Sequence, residues 1–338
     1  MNTKTLMGAP RPVGPGKVGR GVALYSYQEE VLVGQMTLED CLAEAACIGA
    51  EGIELIAETF VPSFPNPPSA WLDRWHEGMA RNGLVGACYT QFIDTMRTKS
   101  RNLTVEEGVV SMMRDVRLAK QLGIPRIRCL MGTPITIIEA TIPHLERAGI
   151  WMGLELHAPV GLQSRFVERL LRIAENTDVF GFVPDMGIFQ NSPNPFARDR
   201  AIRDGRLDGA LALQIEAAWK EGRALPDMLK ELQSLGAAPS ALGYAQQVFH
   251  VRPQDPEDLR DLIPYCKHIH GKTWGMTEDC LDPAIDLAPV IPMLVEAGFD
   301  GYIATEYEGQ RHVQDILPYT EVEQVRRYHV RLKQLLGY

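Results

Sequence analysis

The stretch WMGLELH, residues 151–157, is an apolar run that ends on a carboxylate and an imidazole, Glu155 and His157. Three later stretches repeat the plan: FGFVPD (180–185) ends on Asp185, CKHIHGK (266–272) carries His268 and His270, and YIATEYE (302–308) carries Glu306 and Glu308. Amphipathic segments of helical length separate most of them. Strand, polar end, loop and helix in repeated succession is the signature of a parallel β/α barrel. There all strands run the same way, and their C-terminal ends collect on one face.

An isolated Glu or His at a strand end is ordinarily a cap or an ion-pair partner. Four successive strand ends ask for a common explanation, because charge inside apolar strands is costly unless it is paired or bound to a metal. Two Glu, one Asp and one His form an oxygen-rich donor set suited to the harder divalent cations, whereas structural zinc usually takes several Cys or His. The expected ligands are Glu155, Asp185, a His of the HIH triplet and Glu306. Mn²⁺ is the expected cation, with Mg²⁺, Co²⁺ or Zn²⁺ as alternatives and open positions for water or substrate.

Working outward, residues 1–20 are rich in Gly and Pro and read as a flexible arm, and residues 21–338 as one (β/α)8 barrel domain. GVALYSY (21–27), GIELI from Gly52, LVGACYTQF and RIRCLM supply the first four strands. Thr37 is placed as an N-cap, and Thr104 with Glu107 forms a capping box. The proline-rich segment 61–70 is expected to be a loop over the site face. Between strands six and seven, at about 189–262, lies a long insertion with helical patterning near LDGALALQIEAAWKEG and PDMLKELQSLG. An excursion of that length is a lid or an oligomer contact, unless it is a neutral decoration.

The length of 338 residues fits one barrel with additions, and the hydrophobic (45%) and charged (23%) fractions are those of a globular protein. A net charge of −9 without a Lys/Arg stripe argues against a nucleic-acid partner. No segment approaches the ~20 apolar residues of a membrane span. The six cysteines form no CxxC pair, and no amino-terminal apolar run resembles a secretory signal, so a cytoplasmic protein with reduced thiols is expected.

With Glu155, Asp185, His270 and Glu306 at the ends of strands five to eight, the chain resembles the xylose isomerase-like barrels, which include sugar-phosphate isomerases and epimerases. The resemblance implies that His270, the second His of the HxH pair, is the metal ligand and that His268 has a supporting or substrate-binding role. One departure stands out. Ketose epimerases of this kind read DxxH on the sixth strand, but here the segment is DMGI and Ile188 takes the place of the His. His157, on the same strand face as Glu155, can supply an imidazole instead.

A narrower resemblance is to the larger, metal-binding (alpha) subunit of bacterial C-glycoside deglycosidases. It rests on GVALYSYQEE with MTLEDCLAEAA, on GLELHAP, on FVPDMGIF, and on EYEGQR leading to EQVRRYHVRLKQLL. It implies cleavage of the C–C glycosidic bond of a 3-oxo-C-glycoside, a small beta subunit as partner, and a higher oligomer. Proton abstraction beside the carbonyl would be followed by elimination of the aglycone. His157 is the first choice of base, with Glu306 or Glu155 as alternatives, and Lys272 would neutralise the developing charge. Glu308, Arg311, Trp274, Gln91 and Tyr25 are expected to line the substrate pocket together with His268. A ketose isomerase or epimerase shares the first half of that chemistry and is the runner-up. A noncatalytic barrel subunit is the third reading. A phosphoesterase like endonuclease IV is set aside, because such sites gather more His and Asp ligands.

Overall fold

The computed structural model describes residues 17–310 and 321–337, so most of the expected arm, and Arg311, lie outside the described residues. Eight strands form one sheet: β1 (Gly19–Ala23), β2 (Gly52–Ile56), β3 (Val85–Gln91), β4 (Arg126–Cys129), β5 (Trp151–Leu156), β6 (Phe180–Pro184), β7 (His268–Thr273) and β8 (Tyr302–Tyr307). The order is β6-β5-β4-β3-β2-β1-β8-β7, with every pairing parallel. The remaining seam, between β6 and β7, is joined only by the parallel bridges Phe182–Cys266 and Asp185–His270. The result is a nearly closed α/β barrel. Strands β2, β5, β6, β7 and β8 are buried along their whole length, as expected where helices cover the outside of a packed barrel.

The connecting helices are α1 (Gln28–Leu32), α2 (Leu38–Cys47), α3 (Ala57–Phe60), α4 (Ser69–Asn82), α5 (Val105–Gln121), α6 (Ile135–Ala148) and α7 (Arg165–Ala174). Thr37 and Thr104 both cap as expected, each in a full capping box, with Asp40 and Glu107. The first strand is shorter than expected: it stops at Ala23, and 24–27 turns into a 3₁₀ segment. That turn lets the Ser26 hydroxyl donate to the Thr305 carbonyl (3.0 Å) and accept from the Tyr307 N–H (2.9 Å), which ties the loop after β1 to β8.

After β6 the insertion holds four helices, α8 (Pro195–Arg203), α9 (Gly209–Lys220), α10 (Leu225–Ser234) and α11 (Pro239–His250), and then a 3₁₀ segment (Pro256–Tyr265). Two of them, α8 and α11, begin on proline. They were not expected from the sequence, although proline suits the first turn, where its missing N–H is no loss. Ile215, Trp219, Met228, Leu232, Tyr244 and Phe249 give the insertion its own apolar core. It is tied back to the barrel through Gln254, which accepts from the Leu162 N–H (2.6 Å) and donates to the Val160 carbonyl (3.0 Å). The barrel ends with α12 (Val290–Glu296), shorter than the pattern predicts because Pro289 and Pro292 confine it, and with the C-terminal helix Glu321–Leu336.

A candidate metal centre at the barrel mouth

Parallel strands bring the predicted ligands together. Glu155 on β5, Asp185 just after β6, His270 on β7 and Glu306 on β8 each offer a donor atom, and these atoms all lie within 4.8 Å of one another; all four residues are buried. Three carboxylates with one imidazole are the right chemistry for a hard divalent cation. His270 Nδ1 sits 3.1 Å from both Glu155 Oε1 and Glu306 Oε2. Asp185 is held by the Gly187 N–H, which donates to its Oδ1 (2.6 Å). A Cβ at Gly187 would come within 2.7 Å of that same oxygen and of the Lys272 chain, so the tight turn needs glycine.

Behind the ligands lies a layer the sequence reading did not single out. Glu54, in the middle of β2, bonds the Nε2 of His268 (2.7 Å) and the Nε2 of His270 (2.9 Å), and accepts from the Thr90 hydroxyl (2.7 Å). Arg128 on β4 is 5% exposed, and its guanidinium faces Glu155 (3.2 Å), Glu54 (3.6 Å) and Glu306 (3.7 Å). The signal was available: a charge on a buried position of the short strands GIELI and RIRC has to find partners.

The electrostatics follow from this crowding. Burial works against ionisation of Glu155, but Arg128 and the hydrogen bond from His270 override it and hold its carboxyl down at about 2. Glu306 goes the other way: burial, with the Glu308 and Asp185 carboxylates beside it, raises its carboxyl despite His270. Burial disfavours a charged His270, yet the Glu306 and Glu54 carboxylates raise it well above the usual imidazole range. Carboxylates that crowd one buried spot and repel one another are suited to share a cation.

Lys272 is fully buried. Its ammonium lies 2.6 Å from Glu308, 2.9 Å from His157 Nε2 and 3.5 Å from Asp185, and 4.9 Å from the centre of the Trp274 ring. Burial opposes its charge, but Asp185, Glu308 and Glu306 raise it above the usual lysine range, so it is a cation. His157 is a third exposed, and its Nδ1 lies 2.8 Å from the Ala158 carbonyl. The ammonium can only donate, so Nε2 accepts from it and the Nδ1–H faces the Ala158 carbonyl.

A cavity of about 560 Å³ opens above the centre, lined by Tyr25, Phe92, Arg128, Glu155, His157, Glu306 and Glu308 among others. Trp274 lines a second, adjoining cavity, and its indole N–H donates to Gln190 (2.9 Å). Of the two roles expected of His268 the supporting one fits and the substrate-lining one does not: it is fully buried and bonded to Glu54, because it sits one inward-facing position deeper in the barrel than His270, so it orients Glu54 and does not face the cavity. One expectation needs correction. Gln91, the last residue of β3, is also fully buried and lines neither cavity.

Residues 42–328 match the profile of the xylose isomerase-like TIM barrel family. The chain belongs to that family. Within it, the chain is 23% identical over 328 residues to a C-glycoside deglycosidase alpha subunit of Arthrobacter globiformis, covering 94% of this chain and 92% of that one. It is 25% identical to a 3'-dehydrocarminate deglycosidase alpha subunit of a Microbacterium species, over 86% of this chain and 88% of the relative. Among solved structures, a sugar phosphate isomerase/epimerase of Parabacteroides distasonis superposes with a TM-score of 0.57 at 13% identity, over 99% of this chain and 98% of the other. These relatives are named as enzymes. No helix among the described residues is long and apolar enough to cross a membrane.

Proposed function

We propose that the protein is the alpha subunit of a divalent-metal-dependent C-glycoside deglycosidase, which cleaves the C–C bond of a 3-oxo-C-glycoside. The observation that carries the reading is the position of His157 at the edge of the ligand cluster: it lines both the cavity above the metal ligands and the adjoining one. The similarity to two deglycosidase alpha subunits along almost the whole chain supports the same reading.

Glu155, Asp185, His270 and Glu306 would hold the cation, most simply Mn²⁺. When bound, it supplies Lewis-acid polarisation of the sugar carbonyl. His157 takes the proton from the carbon between the carbonyl and the glycosidic carbon. The electron pair of that C–H bond forms a C=C bond, the bond to the aglycone breaks, and the departing ring carbon receives a proton. Arg128 and Lys272 are fixed cations that offset the negative charge developing on the carbonyl oxygen, at positions already set before reaction. Lys272 also orients His157 by donating to its Nε2; the partly exposed imidazole turns from the ammonium as substrate enters, which frees that nitrogen to act as base. The buried Ile188, in the turn just after β6, offers no proton-transfer group where ketose epimerases of the DxxH pattern carry a His, which favours the deglycosidase reading over an epimerase.

The names of the relatives support a small beta subunit as partner, with assembly into a hetero-oligomer. Product analysis tests the reading. The Mn²⁺-loaded protein with its beta subunit should release free aglycone from a 3-oxo-C-glucoside. An isomeric sugar formed from a ketose, with no aglycone released, would reassign it to the isomerases and epimerases.

A further inference from the structure

The loop that leaves β7 carries a carboxylate with five donors aimed at it. Asp282 Oδ2 accepts from the Thr273 hydroxyl (2.7 Å) and from the N–H groups of Trp274 (2.7 Å) and Gly275 (3.4 Å), while its Oδ1 accepts from the N–H groups of Ala284 (2.7 Å) and Ile285 (3.1 Å). One side chain thus ties the point where the chain departs the strand to a later point of the same loop. Backbone bonds to a carboxylate are charge-assisted and roughly twice as strong as neutral ones.

That loop is fastened in turn to the one after β6. Ile285 pairs with Gln190 in an antiparallel bridge, and the Asn191 N–H donates to the Ala284 carbonyl (3.0 Å). The Gln190 side chain closes the frame by accepting from the Trp274 indole N–H (2.9 Å). Trp274 is therefore held at its backbone by Asp282 and at its ring edge by Gln190. Its ring face meets the Lys272 ammonium, 4.9 Å from the ring centre, and that ammonium is bonded to Glu308 and to His157. A cation over an indole face is attracted to it, the more so away from water.

We propose that Asp282 is a positioning residue for the Lys272–His157 pair, acting through Trp274. This rests on the deglycosidase reading and deepens it, by naming what keeps the fixed cation of the site in place. The His157 side chain is a third exposed and has room to turn toward substrate, whereas that of Lys272 is 1% exposed. With Trp274 clamped, the imidazole is the partner that moves, and the ammonium stays beside the carbonyl oxygen. Without Asp282 the loop loosens, Trp274 leaves the ammonium, and water weakens the charge that offsets the developing oxyanion.

The test labels the amines of the metal-free, full-length protein with a short pulse of acetic anhydride and reads each lysine by peptide mass, so that turnover plays no part. In Asp282→Asn, which turns an amide donor toward N–H groups that need an acceptor, Lys272 should label about tenfold faster, while the exposed Lys120 and Lys267 keep their rates. Trp274→Leu should have at least as large an effect, and the double variant no more than Trp274→Leu alone. Thr273→Val, a milder change that deletes only the hydroxyl on Oδ2, should raise the Lys272 rate about threefold, and it decides the matter should Asp282→Asn fail to fold. An unchanged Lys272 rate, a rise shared by all lysines, or additive effects in the double variant overturns the proposal. In the holoenzyme, Asp282→Asn should lower kcat about tenfold and leave KM nearly unchanged; a rise in KM with kcat intact would overturn it as well. The two readings fail separately. A parent that releases no aglycone refutes the deglycosidase assignment, whereas labelling without metal or substrate tests the clamp alone.

Discussion

Glu54 Oε1 lies 2.9 Å from His270 Nε2, and this contact decides which nitrogen of His270 serves the metal centre. With Nε2 donating to the carboxylate, Nδ1 is the nitrogen that would give up its proton to a bound cation, and it is Nδ1 that points between Glu155 and Glu306. A carboxylate behind a metal-ligating His raises the ligand's basicity and fixes its ring.

Glu54→Gln should therefore weaken Mn²⁺ binding by about 10–100-fold while every ligand remains in place. Isothermal titration of the metal-free protein checks it. An unchanged affinity would mean that His270 does not ligate through Nδ1.

Arg128 neutralises the ligand carboxylates when no cation is bound. Arg128→Met should cost the metal-free protein about 3–5 kcal/mol, the usual consequence of removing one side of a buried ion pair. Saturating Mn²⁺ should narrow that gap, since the cation replaces the lost charge. Urea unfolding with and without metal measures both, and a variant as stable as the parent in the metal-free state would show that the carboxylates are not held by Arg128.

His329, on the C-terminal helix, is 2% exposed, and its Nε2 lies 3.2 Å from the Gly21 carbonyl. Burial, with the Arg20 guanidinium nearby, pushes its imidazole down to about 3 from an ordinary 6.5. The unfolded chain therefore binds a proton that the folded chain refuses. Above pH 6.5 the residue has no effect on the pH dependence; as pH falls from 6.5 toward 3 it costs up to about 1.4 kcal/mol of stability per pH unit. In His329→Gln the slope of unfolding free energy between about pH 6.5 and 4.5 should flatten by that amount. Parallel slopes in parent and variant would contradict it.

The second half of the barrel was the legible half, and the reason is geometric. Glu155, Asp185, His270 and Glu306 stand at or near the ends of strongly apolar strands, where the alternation of side chains and the parallel direction together fix where they point. Glu54 and Arg128 were overlooked because each is one charge within a short strand whose partners lie on other strands, and no local pattern announces a contact between β2 and β7. For His268 the alternation leaves a supporting and a substrate-lining role both open, since spacing along a strand gives the face but not the depth. In the insertion no hydrophobic period announces α8; its start is marked only by Asn194, which caps it, and Pro195, which opens it.

The central claim is tested most directly with a 3-oxo-C-glucoside carrying deuterium on the carbon between the carbonyl and the glycosidic carbon. The Mn²⁺-loaded holoenzyme should release free aglycone with loss of the deuterium. Chelation should abolish the reaction, and His157→Ala should slow it by about 10²–10⁴-fold, the range of a positioned general base. Aglycone released with the deuterium retained in the sugar, or released equally by chelated protein, would contradict metal-assisted proton abstraction at this site.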